Sequence, residues 1–436
     1  MFKYKIIPIY EIIPLEIKIE NVPLNTKGFA DILSINLEYF YKLNRAKNRI
    51  NDIDSSKWEE IKKITNPYEF IHAFNPKSKY NDNRSVALIK PLSRSFFKMI
   101  EIIHEFCPHI VMQDLEKVVS VHIAEGPGGF IEAIRYVRNG YGEGEGGGCG
   151  FKLHKEDLAF GMTLVKYDKN EYRNIHVPGW HKSNQFLFNN PEVYIINGAD
   201  GTGDVYKTEN INYLNDKMRI LSRGRDGSGG RDGGGSGRDC DVATGADIVT
   251  ADGGFDFSVE YNYQEQSSCK LIFSQILCAI KCQKKEGIFI CKFFDFNSYF
   301  TVEMLYLLYT LYESVIIYKP YTSRIANSEK YIICSNFKGI DIMFLDKLFD
   351  VLKLWNKYTD KTINYIFEKI PIDFIEKIKE INKEIIDLQV KSINNAIEII
   401  KTNKVANNKN WYDTNIELHI KNAKEWCKKY NIKSKF

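Results

Sequence analysis

The sequence predicts an α/β fold: a seven-stranded, mostly parallel sheet with an antiparallel final strand and helices on both faces. From Val118 onward, short apolar runs alternate with helical segments, which is typical of a parallel sheet covered on both faces. The last two apolar runs follow each other too closely for a crossover helix, so the final strand is expected to run antiparallel. With 436 residues, 44% of them hydrophobic, the chain has ample material for a packed core.

Each predicted strand is one of these short apolar runs. The seven runs are VVSVHI (118–123), LAFGMTL (158–164), EVYII (192–196), ADIVTA (246–251), GIFICKFF (287–294), SVIIYK (314–319) and KYIIC (330–334). Helices are predicted in most of the gaps, and the longest is EQSSCKLIFSQILCAIKCQ (265–283). Upstream of the first strand, PLSRSFFKMIEIIHEF (91–106) has the apolar spacing of an amphipathic helix.

Composition divides the chain into three parts. Residues 1–85 are interpreted as an N-terminal extension of unassigned role, 86–340 as the α/β domain and 341–436 as a Lys-rich helical region. Two glycine-rich tracts, 139–150 and 222–239, are predicted to be inserted surface loops, because such composition cannot bury apolar area. The final 36 residues contain nine lysines and three acidic residues, which indicates either a solvated helix face or a basic surface that contacts phosphate groups.

Charge and cysteine content leave most function classes open. The net charge of +4 neither requires nor excludes nucleic acid, so any basic surface must be local. The nine cysteines form no C-x-x-C pair and no His cluster accompanies them, so no metal site is predicted and a reducing compartment, cytoplasmic or nuclear, is expected. Charge and proline interrupt the apolar residues at the start, so neither a secretory signal nor a membrane span is predicted.

The tract AEGPGGF (124–130) directly follows the first predicted strand. Ligands of open α/β sheets bind beyond the carboxyl ends of the strands, so this turn is a candidate binding site. It lacks the G-x-G-x-x-G pattern that binds a pyrophosphate. The absence of this pattern argues against a nicotinamide-dependent oxidoreductase. Pro127 and the glycines suit an adenosine-sized group without phosphates, as in S-adenosylmethionine. A tight turn with no ligand is the alternative.

A second glycine-softened loop, NGADGTGD (197–204), follows the third predicted strand. Its Asp200 and Asp204 are carboxylates suited to accept hydrogen bonds from an adenine amine or a ribose hydroxyl. The alternatives are an Asx-rich turn or a calcium-type loop. The spacing lacks the later bidentate glutamate of a calcium loop, which disfavours that alternative.

Four charged residues stand at the ends or inside of predicted elements. Lys98 lies on the helix at 91–106, Asp252 follows the fourth strand, Lys292 lies inside the fifth and Glu329 precedes the last. A lysine within an apolar strand needs a partner that offsets the cost of burying its charge. Burial lowers the pKa of a lysine and nearby carboxylates raise it, and a lysine under both influences can act as a base or orient a hydroxyl group. Taken singly, each of the four also has an ordinary structural reading as a surface, turn or strand-end charge.

Together these motifs resemble the FtsJ-like ribose 2′-O-methyltransferases, and more narrowly the eukaryotic and large-virus branch that methylates the mRNA cap. The resemblance rests on AEGPGGF, GADGTGDVYKTENI, TADGGF, GIFICKFFDF and KPYTSRIANSEKYIIC, and it covers roughly Pro91 to Lys338. It implies a Rossmann-like methyltransferase fold that uses S-adenosylmethionine. The catalytic residues it implies are Lys98, Asp252, Lys292 and Glu329. The cofactor-binding residues it implies are Ser93, Glu125, Gly126, Pro127, Gly128, Gly129, Phe130, Asp204 and Asp252.

The implied reaction is an in-line transfer of the sulfonium methyl group to a ribose 2′-oxygen. Lys292 would hold or accept the hydroxyl proton, and Asp252 and Glu329 would set its charge and direction. Two positions depart from the family pattern. His122 stands where the first strand often carries an acidic residue, and Ser93 stands where cap enzymes tend to have asparagine. Neither change removes a catalytic residue.

The implied substrate is single-stranded capped RNA, and other capping or transcription proteins are further expected partners. Arg94, Lys319, Arg324 and Lys330 lie near the motifs and are predicted to contact RNA phosphates. A composition rich in Ile, Lys, Asn and Tyr suggests an AT-rich genome, such as that of a large DNA virus or a protist.

Two alternatives stand beside methylation of the first transcribed nucleotide. One is 2′-O-methylation of ribosomal or other structured RNA by the same chemistry. The other is a catalytically silent RNA-binding subunit on the same fold. The terminal regions and the GADGTGD block favour the cap branch, and the intact set of four charged residues argues against a silent subunit.

Overall fold

The computed structural model describes most of the chain. The described residues are 3–6, 15–20, 34–73, 85–111, 115–139, 156–165, 179–223, 245–255, 262, 264–357 and 362–435. Apart from Asn139, Ser222 and Arg223, the predicted glycine-rich loops lie outside these residues.

The strands of the described part are numbered in chain order. They are β1 (Lys3–Ile6), β2 (Leu15–Glu20), β3 (Val119–Ile123), β4 (Leu158–Met162), β5 (Val193–Ile195), β6 (Ala246–Ala251), β7 (Gln283–Phe293), β8 (Tyr312–Tyr318), β9 (Lys330–Phe337) and β10 (Thr362–Phe367).

The helices are numbered in the same way. They are α1 (Leu37–Asn51), α2 (Ser55–Ile64), α3 (Ser95–Phe106), α4 (Pro108–Val111), α5 (Gly129–Arg138), α6 (Asn184–Asn189), α7 (Thr208–Arg223), α8 (Gln264–Cys282), α9 (Tyr299–Leu311), α10 (Ile342–Lys357), α11 (Ile372–Lys401), α12 (Lys404–Asn407) and α13 (Lys409–Lys429). Short 3₁₀ turns lie at Glu69–Ile71 and Trp180–Lys182.

The central sheet contains all seven predicted strands and confirms the predicted fold class. Its order is β1-β8-β9-β7-β6-β3-β4-β5. Neighbouring strands from β5 to β7 are parallel, whereas β9 lies between β7 and β8 and is antiparallel to both. The sequence did not predict β1, an eighth strand that pairs antiparallel with β8 at the sheet edge. A separate two-stranded sheet pairs β2 with β10.

Helices cover both faces of the sheet, because each buried strand presents apolar residues to both sides. On β6, Ile248 packs into one core with α3 and α5, and the adjacent Val249 packs into the other with α7, α8 and α9. This alternation follows from the two-residue period of a strand. The carboxyl ends of the parallel strands are thereby held rigidly at one edge.

The terminal regions pack onto this core. Helices α1 and α2 share an apolar cluster with α11, and Trp426 and Tyr430 at the end of α13 pack into the core that contains α3. No helix among the described residues is both long and apolar enough to cross a membrane. The boundaries at residues 85 and 340 stay predictions, and side-chain contacts extend across both of them.

Candidate active site

Strand register brings the predicted catalytic residues together. Ala251 on β6 pairs with Cys291 on β7, so Asp252 emerges beside Lys292. The Lys292 ammonium donates to the Asp252 carbonyl at 2.7 Å and lies 3.3 Å from the Asp252 Oδ1 atom. Lys292 also pairs with Tyr331 on β9, which aligns the residues that precede β9 with the same edge.

Glu329 lies immediately before β9, at the same end of the sheet as Asp252 and Lys292. Its main partner is a residue of helix α3. The Lys98 ammonium lies 2.7 Å from Glu329 Oε1 and 2.8 Å from Oε2, so it binds both carboxylate oxygens. Ser323 donates a further hydrogen bond to Oε1 at 2.9 Å. The structure therefore joins all four predicted catalytic residues into one network of alternating charge.

The electrostatics of this network favour the charged forms of Glu329 and Lys292. Burial raises the pKa of Glu329, but the cations Lys98, Lys292 and Lys319 outweigh it and lower that pKa to about 2. Burial likewise disfavours a charged Lys292, yet Asp252 and Glu329 raise its pKa above the ordinary value. The ammonium of Lys292 is therefore the stable form in this network.

A cavity of about 510 Å³ opens onto the network. It is of the size that small cofactors and substrates occupy. Three of the four predicted catalytic residues line the cavity. The fourth, Lys98, does not line it but donates a hydrogen bond to Glu329, which does. The lining residues are Ser93, Arg94, Ser95, Ala124, Glu125, Gly126, Pro127, Asp252, Gly254, Phe255, Gln264, Lys292, Phe294, Asn327, Ser328 and Glu329.

The glycine turn between β3 and α5 forms one wall of the cavity. Gly128 adopts φ +99° at the start of α5, a conformation that other residues rarely adopt. A Cβ atom at Gly129 would lie 2.3 Å from the hydroxyl oxygens of Ser93 and Ser95, so only glycine permits this approach. The turn thus keeps Ser93 close to Glu125, Gly126 and Pro127, as the predicted cofactor site requires.

The side chain of Glu125 indicates what the cavity can hold. It is 5% exposed, and neither carboxylate oxygen accepts a hydrogen bond from the described residues. His122 Nδ1 lies 3.3 Å from Oε2 and is 2.7 Å from the Thr250 hydroxyl. Burial raises the pKa of Glu125. A buried carboxylate in a cavity wall, with His122 as its nearest ionisable partner, suits a cationic ligand, and S-adenosylmethionine carries an ammonium and a sulfonium group.

Glu132 on α5 gives a pH-dependent prediction about this wall. Burial raises its pKa from 4.5 to about 7, although the Leu92 amide donates to it at 2.8 Å. The folded protein keeps this proton up to about pH 7, whereas the unfolded chain loses it near pH 4.5. The stability that the protonated carboxyl group gives the folded state is therefore complete below pH 4.5, falls between pH 4.5 and 7 and is absent above pH 7. Glu132→Gln should therefore raise Tm by roughly 1–3 °C at pH 8, and by much less at pH 5.

Thermal melts of the variant and wild type at both pH values test this. Glu376→Gln, at an exposed site on α11, serves as the control and should shift Tm equally little at both values. An equal effect of Glu132→Gln at both pH values would contradict the assigned titration.

Four predicted cofactor residues do not lie in the cavity wall: Gly128, Gly129, Phe130 and Asp204. Phe130 is fully buried and packs against Tyr331 at a ring-centroid distance of 5.9 Å, so its prediction as a ligand contact is corrected to a core position. Asp204 accepts from the Tyr206 amide at 2.9 Å in the loop after β5. That loop contacts the end of β4, where Val165 donates to the Thr202 carbonyl at 2.7 Å. Asp204 therefore lies near the carboxyl ends of the parallel strands but outside the cavity.

The loop around Asp200 adopts the Asx-rich turn considered as an alternative. Asp200 Oδ1 accepts from the Thr202 amide at 3.0 Å and from the side chain of Asn210 at 3.0 Å. Asp200 also pairs with Lys207 at 2.5 Å. Its carboxylate is thus engaged within the loop.

The predicted RNA contacts fall into two pairs. Lys319 and Lys330 are 3% and 1% exposed, and both donate hydrogen bonds to backbone carbonyl groups. Neither ammonium group lies at the surface, so the prediction that these two lysines contact RNA phosphates is corrected. Arg94 and Arg324 are partly exposed at the rim, and both bind the buried Glu69, at 2.9 and 2.7 Å. The two guanidinium groups lower the pKa of Glu69 to about 2 against the effect of its burial.

Sequence reasoning missed three residues of the site. Tyr331 donates its hydroxyl to Asp252 Oδ1 at 2.8 Å, and Ser323 binds Glu329. Tyr331 follows Glu329 by two residues, so the strand period already indicated a shared face. Glu69 carried no local signal, because its arginine partners lie 25 and 255 residues away.

Tyr331→Phe should lower the kcat of this site about 3- to 10-fold, because an intramolecular hydrogen bond typically contributes roughly 0.5–1.5 kcal/mol. Tyr312→Phe is the matched control, since the buried Tyr312 hydroxyl binds Gln283 at 2.5 Å, away from the cavity. Steady-state kinetics on both variants distinguish the two sites. Equal kcat values for the two variants would exclude a role for the Tyr331 hydroxyl in the site.

The fold and the site define a Rossmann-like methyltransferase: a parallel sheet with an antiparallel last strand, and lysine–carboxylate pairs beside a glycine turn at the strand ends. The model of the FtsJ-like methyltransferase family matches residues 91–337, and the chain belongs to this family.

Similar proteins carry cap-specific names. The chain is 26% identical over 366 residues to the mouse protein named cap-specific mRNA (nucleoside-2′-O-)-methyltransferase 1, covering 82% of this chain and 38% of that protein. It is 29% identical over 314 residues to the Caenorhabditis briggsae protein of the same name with the suffix 1A, covering 71% and 30%. The chain thus spans about a third of these relatives. A ribosomal RNA methyltransferase structure from Plasmodium falciparum aligns with TM-score 0.35 and 17% identity, covering 57% of this chain and 99% of that one.

Proposed function

We propose that the chain is an S-adenosylmethionine-dependent RNA ribose 2′-O-methyltransferase that acts on the first transcribed nucleotide of capped mRNA. The observation that carries this proposal is the network in which Lys292 pairs with Asp252, and Lys98 pairs with Glu329, at the wall of a cofactor-sized cavity. The names of the relatives support the cap as the substrate.

The cofactor is proposed to lie along the glycine turn. Glu125 would receive its ammonium group, while Gly126, Pro127 and Ser93 would shape the wall beside it. Gly128 and Gly129 serve indirectly by setting the turn. Asp204, at the neighbouring strand ends, is proposed for the adenosine end. When bound, S-adenosylmethionine supplies an electrophilic methyl group.

The catalytic residues orient the ribose. The protonated Lys292 donates a hydrogen bond to the 2′-oxygen and directs a lone pair toward the methyl carbon. S-adenosylmethionine would supply the methyl group and leave as a neutral thioether, so the chain's own residues need only hold the 2′-oxygen in line and take its proton. The hydroxyl proton passes to Asp252, the carboxylate beside Lys292. Glu329 and Lys98 keep Lys292 charged and in place.

The RNA is proposed to approach past Arg94 and Arg324. Both guanidinium groups are partly exposed, at 33% and 26% of their side chains, and Glu69 fixes them at the rim. They are suited to bind backbone phosphates of a single strand. Other capping or transcription proteins, a nuclear or cytoplasmic site and a viral source stay predictions from the sequence.

Methyl transfer to three RNAs tests the proposal. Labelled S-adenosylmethionine is offered with an N7-methyl-capped RNA, the same RNA without its cap, and a ribosomal RNA fragment. We expect label in the capped RNA alone. Equal labelling of uncapped or ribosomal RNA would favour the structured-RNA alternative. Cofactor binding without transfer to any RNA would favour a silent RNA-binding subunit.

A further inference from the structure

The catalytic segment, residues 327–329, carries Glu329 into the cavity and precedes the hydrogen-bonded ladder of β9. The buried Lys319 provides the hydrogen bonds that a neighbouring strand would otherwise give to this segment. Its ammonium donates to the Asn327 carbonyl at 2.8 Å, to the Glu329 carbonyl at 2.6 Å and to the side-chain oxygen of Asn327. Three acceptors require three N–H groups, so the geometry corresponds to the protonated lysine.

Lys330 holds the middle of the same segment. Its ammonium donates to the Ser328 carbonyl at 2.8 Å and to the Phe294 carbonyl. Phe294 follows Lys292 by two residues. Lys330 therefore ties the end of the strand that carries Lys292 to the segment that carries Glu329. All three carbonyl groups of the catalytic segment are thus bound by two buried lysines.

Both terminal regions brace this arrangement. Asp295 lies 3.7 Å from Lys330 and accepts from Lys47 of α1 at 2.8 Å and from the Ser328 hydroxyl at 3.0 Å. Gln389 of α11 donates to the Ala326 carbonyl and to the Ser328 hydroxyl, both at 3.1 Å. The buried lysines accordingly sit in a compensated network that no surface phosphate can reach.

Lys319 also acts on the charge of Glu329. The titratable groups that interact with the Glu329 carboxylate are Lys98 from α3, Lys292 from β7 and Lys319, together with Arg94, Arg324 and Tyr331. Burial lowers the pKa of Lys319 well below its usual value, whereas the Glu329 carboxylate and the three hydrogen-bond acceptors favour its protonated form. Removal of this cation should raise the pKa of Glu329, because one of its three principal lysine partners is lost.

We propose that Lys319 and Lys330 are positioning residues for methyl transfer, which fix the catalytic segment so that the Glu329 carboxylate stays between Lys98 and Lys292. The inference rests on the proposed function for its reaction, but the geometry is independent of which RNA is methylated.

Lys319→Met tests the proposal by two readouts. We expect kcat to fall about 10- to 100-fold, as a misplaced catalytic group does, with the Kd for S-adenosylmethionine changed less than about threefold. NMR of labelled glutamate carboxyl groups, with Glu329 assigned from a Glu329→Gln sample, should show the Glu329 pKa rising. Arg138→Met is the control, because Arg138 is fully buried and paired with Asp157 at 2.7 Å, at the opposite edge of the sheet. It should lower Tm without changing the Glu329 titration.

Lys319→Gln is the second variant, since its amide retains donors where methionine has none. It should fold more stably than Lys319→Met and still raise the Glu329 pKa. An unchanged Glu329 titration in both variants would overturn the proposal, as would unchanged kcat in an active enzyme. If the wild type methylates no RNA, the proposed function fails, while the titration still decides the role of Lys319.

Discussion

Lys292→Ala is expected to lower kcat for methyl transfer by about 10²- to 10⁴-fold, the range that a positioned proton-handling group contributes. The variant removes the ammonium group that pairs with Asp252 and interacts electrostatically with the Glu329 carboxylate. Because Glu125 and the glycine turn lie on the other wall, the Kd for S-adenosylmethionine should change only a few-fold. Single-turnover kinetics and calorimetry measure the two quantities separately.

Lys353→Ala is the matched control for this prediction. Lys353 is 60% exposed on α10 and pairs only with the equally exposed Asp350 among the described residues. Surface pairs of this kind contribute little, so activity should stay at the wild-type level. Comparable activity of Lys292→Ala and Lys353→Ala would exclude Lys292 from catalysis.

Glu329→Gln is expected to have the second-largest effect, lowering kcat about 10²- to 10³-fold. The substitution keeps the shape of the side chain but leaves Lys98, Lys292 and Lys319 without the carboxylate that compensates them. Breaking a buried ion pair typically costs about 3–5 kcal/mol of unfolding free energy, so Tm should also fall. The pH dependence of kcat should change as well, since the carboxylate no longer supports a charged Lys292.

Glu313→Gln separates this effect from a general loss of strand charge. Glu313 lies on β8 and accepts from Asn336 at 2.8 Å at an exposed position. It should behave as wild type in both kinetics and melting. A stable, fully active Glu329→Gln enzyme would contradict the assigned network.

The strands and the central network were predictable because they depend on local pattern. Short apolar runs defined β3 to β9, and parallel strands necessarily bring their carboxyl ends to one edge. Asp252 and Lys292 follow or interrupt such runs, but it was the family resemblance that grouped them with Lys98 and Glu329, since each residue taken singly kept an ordinary structural interpretation. The strand β1 was not predicted, because an edge strand that pairs with residues 309 to 315 positions away has no local signature.

The charged residues around the network were harder to assign. Lys319 and Lys330 were predicted as RNA contacts because lysine is normally exposed. The structure buries both, since unpaired carbonyl groups before β9 and the carboxylates of Asp295 and Glu329 compensate them. Those acceptors exist only once the chain is folded. Glu69 was missed for the same reason, because its charge is explained by two distant arginines.

The most direct test of the central claim is the position of the transferred methyl group. Two capped RNAs are compared that differ only in the first transcribed nucleotide, which carries a 2′-hydroxyl in one and a 2′-hydrogen in the other. We expect label to enter the first RNA alone and to protect its first phosphodiester bond from alkaline cleavage. Equal labelling of the 2′-deoxy RNA would place the methyl group elsewhere and contradict ribose 2′-O-methylation at that nucleotide.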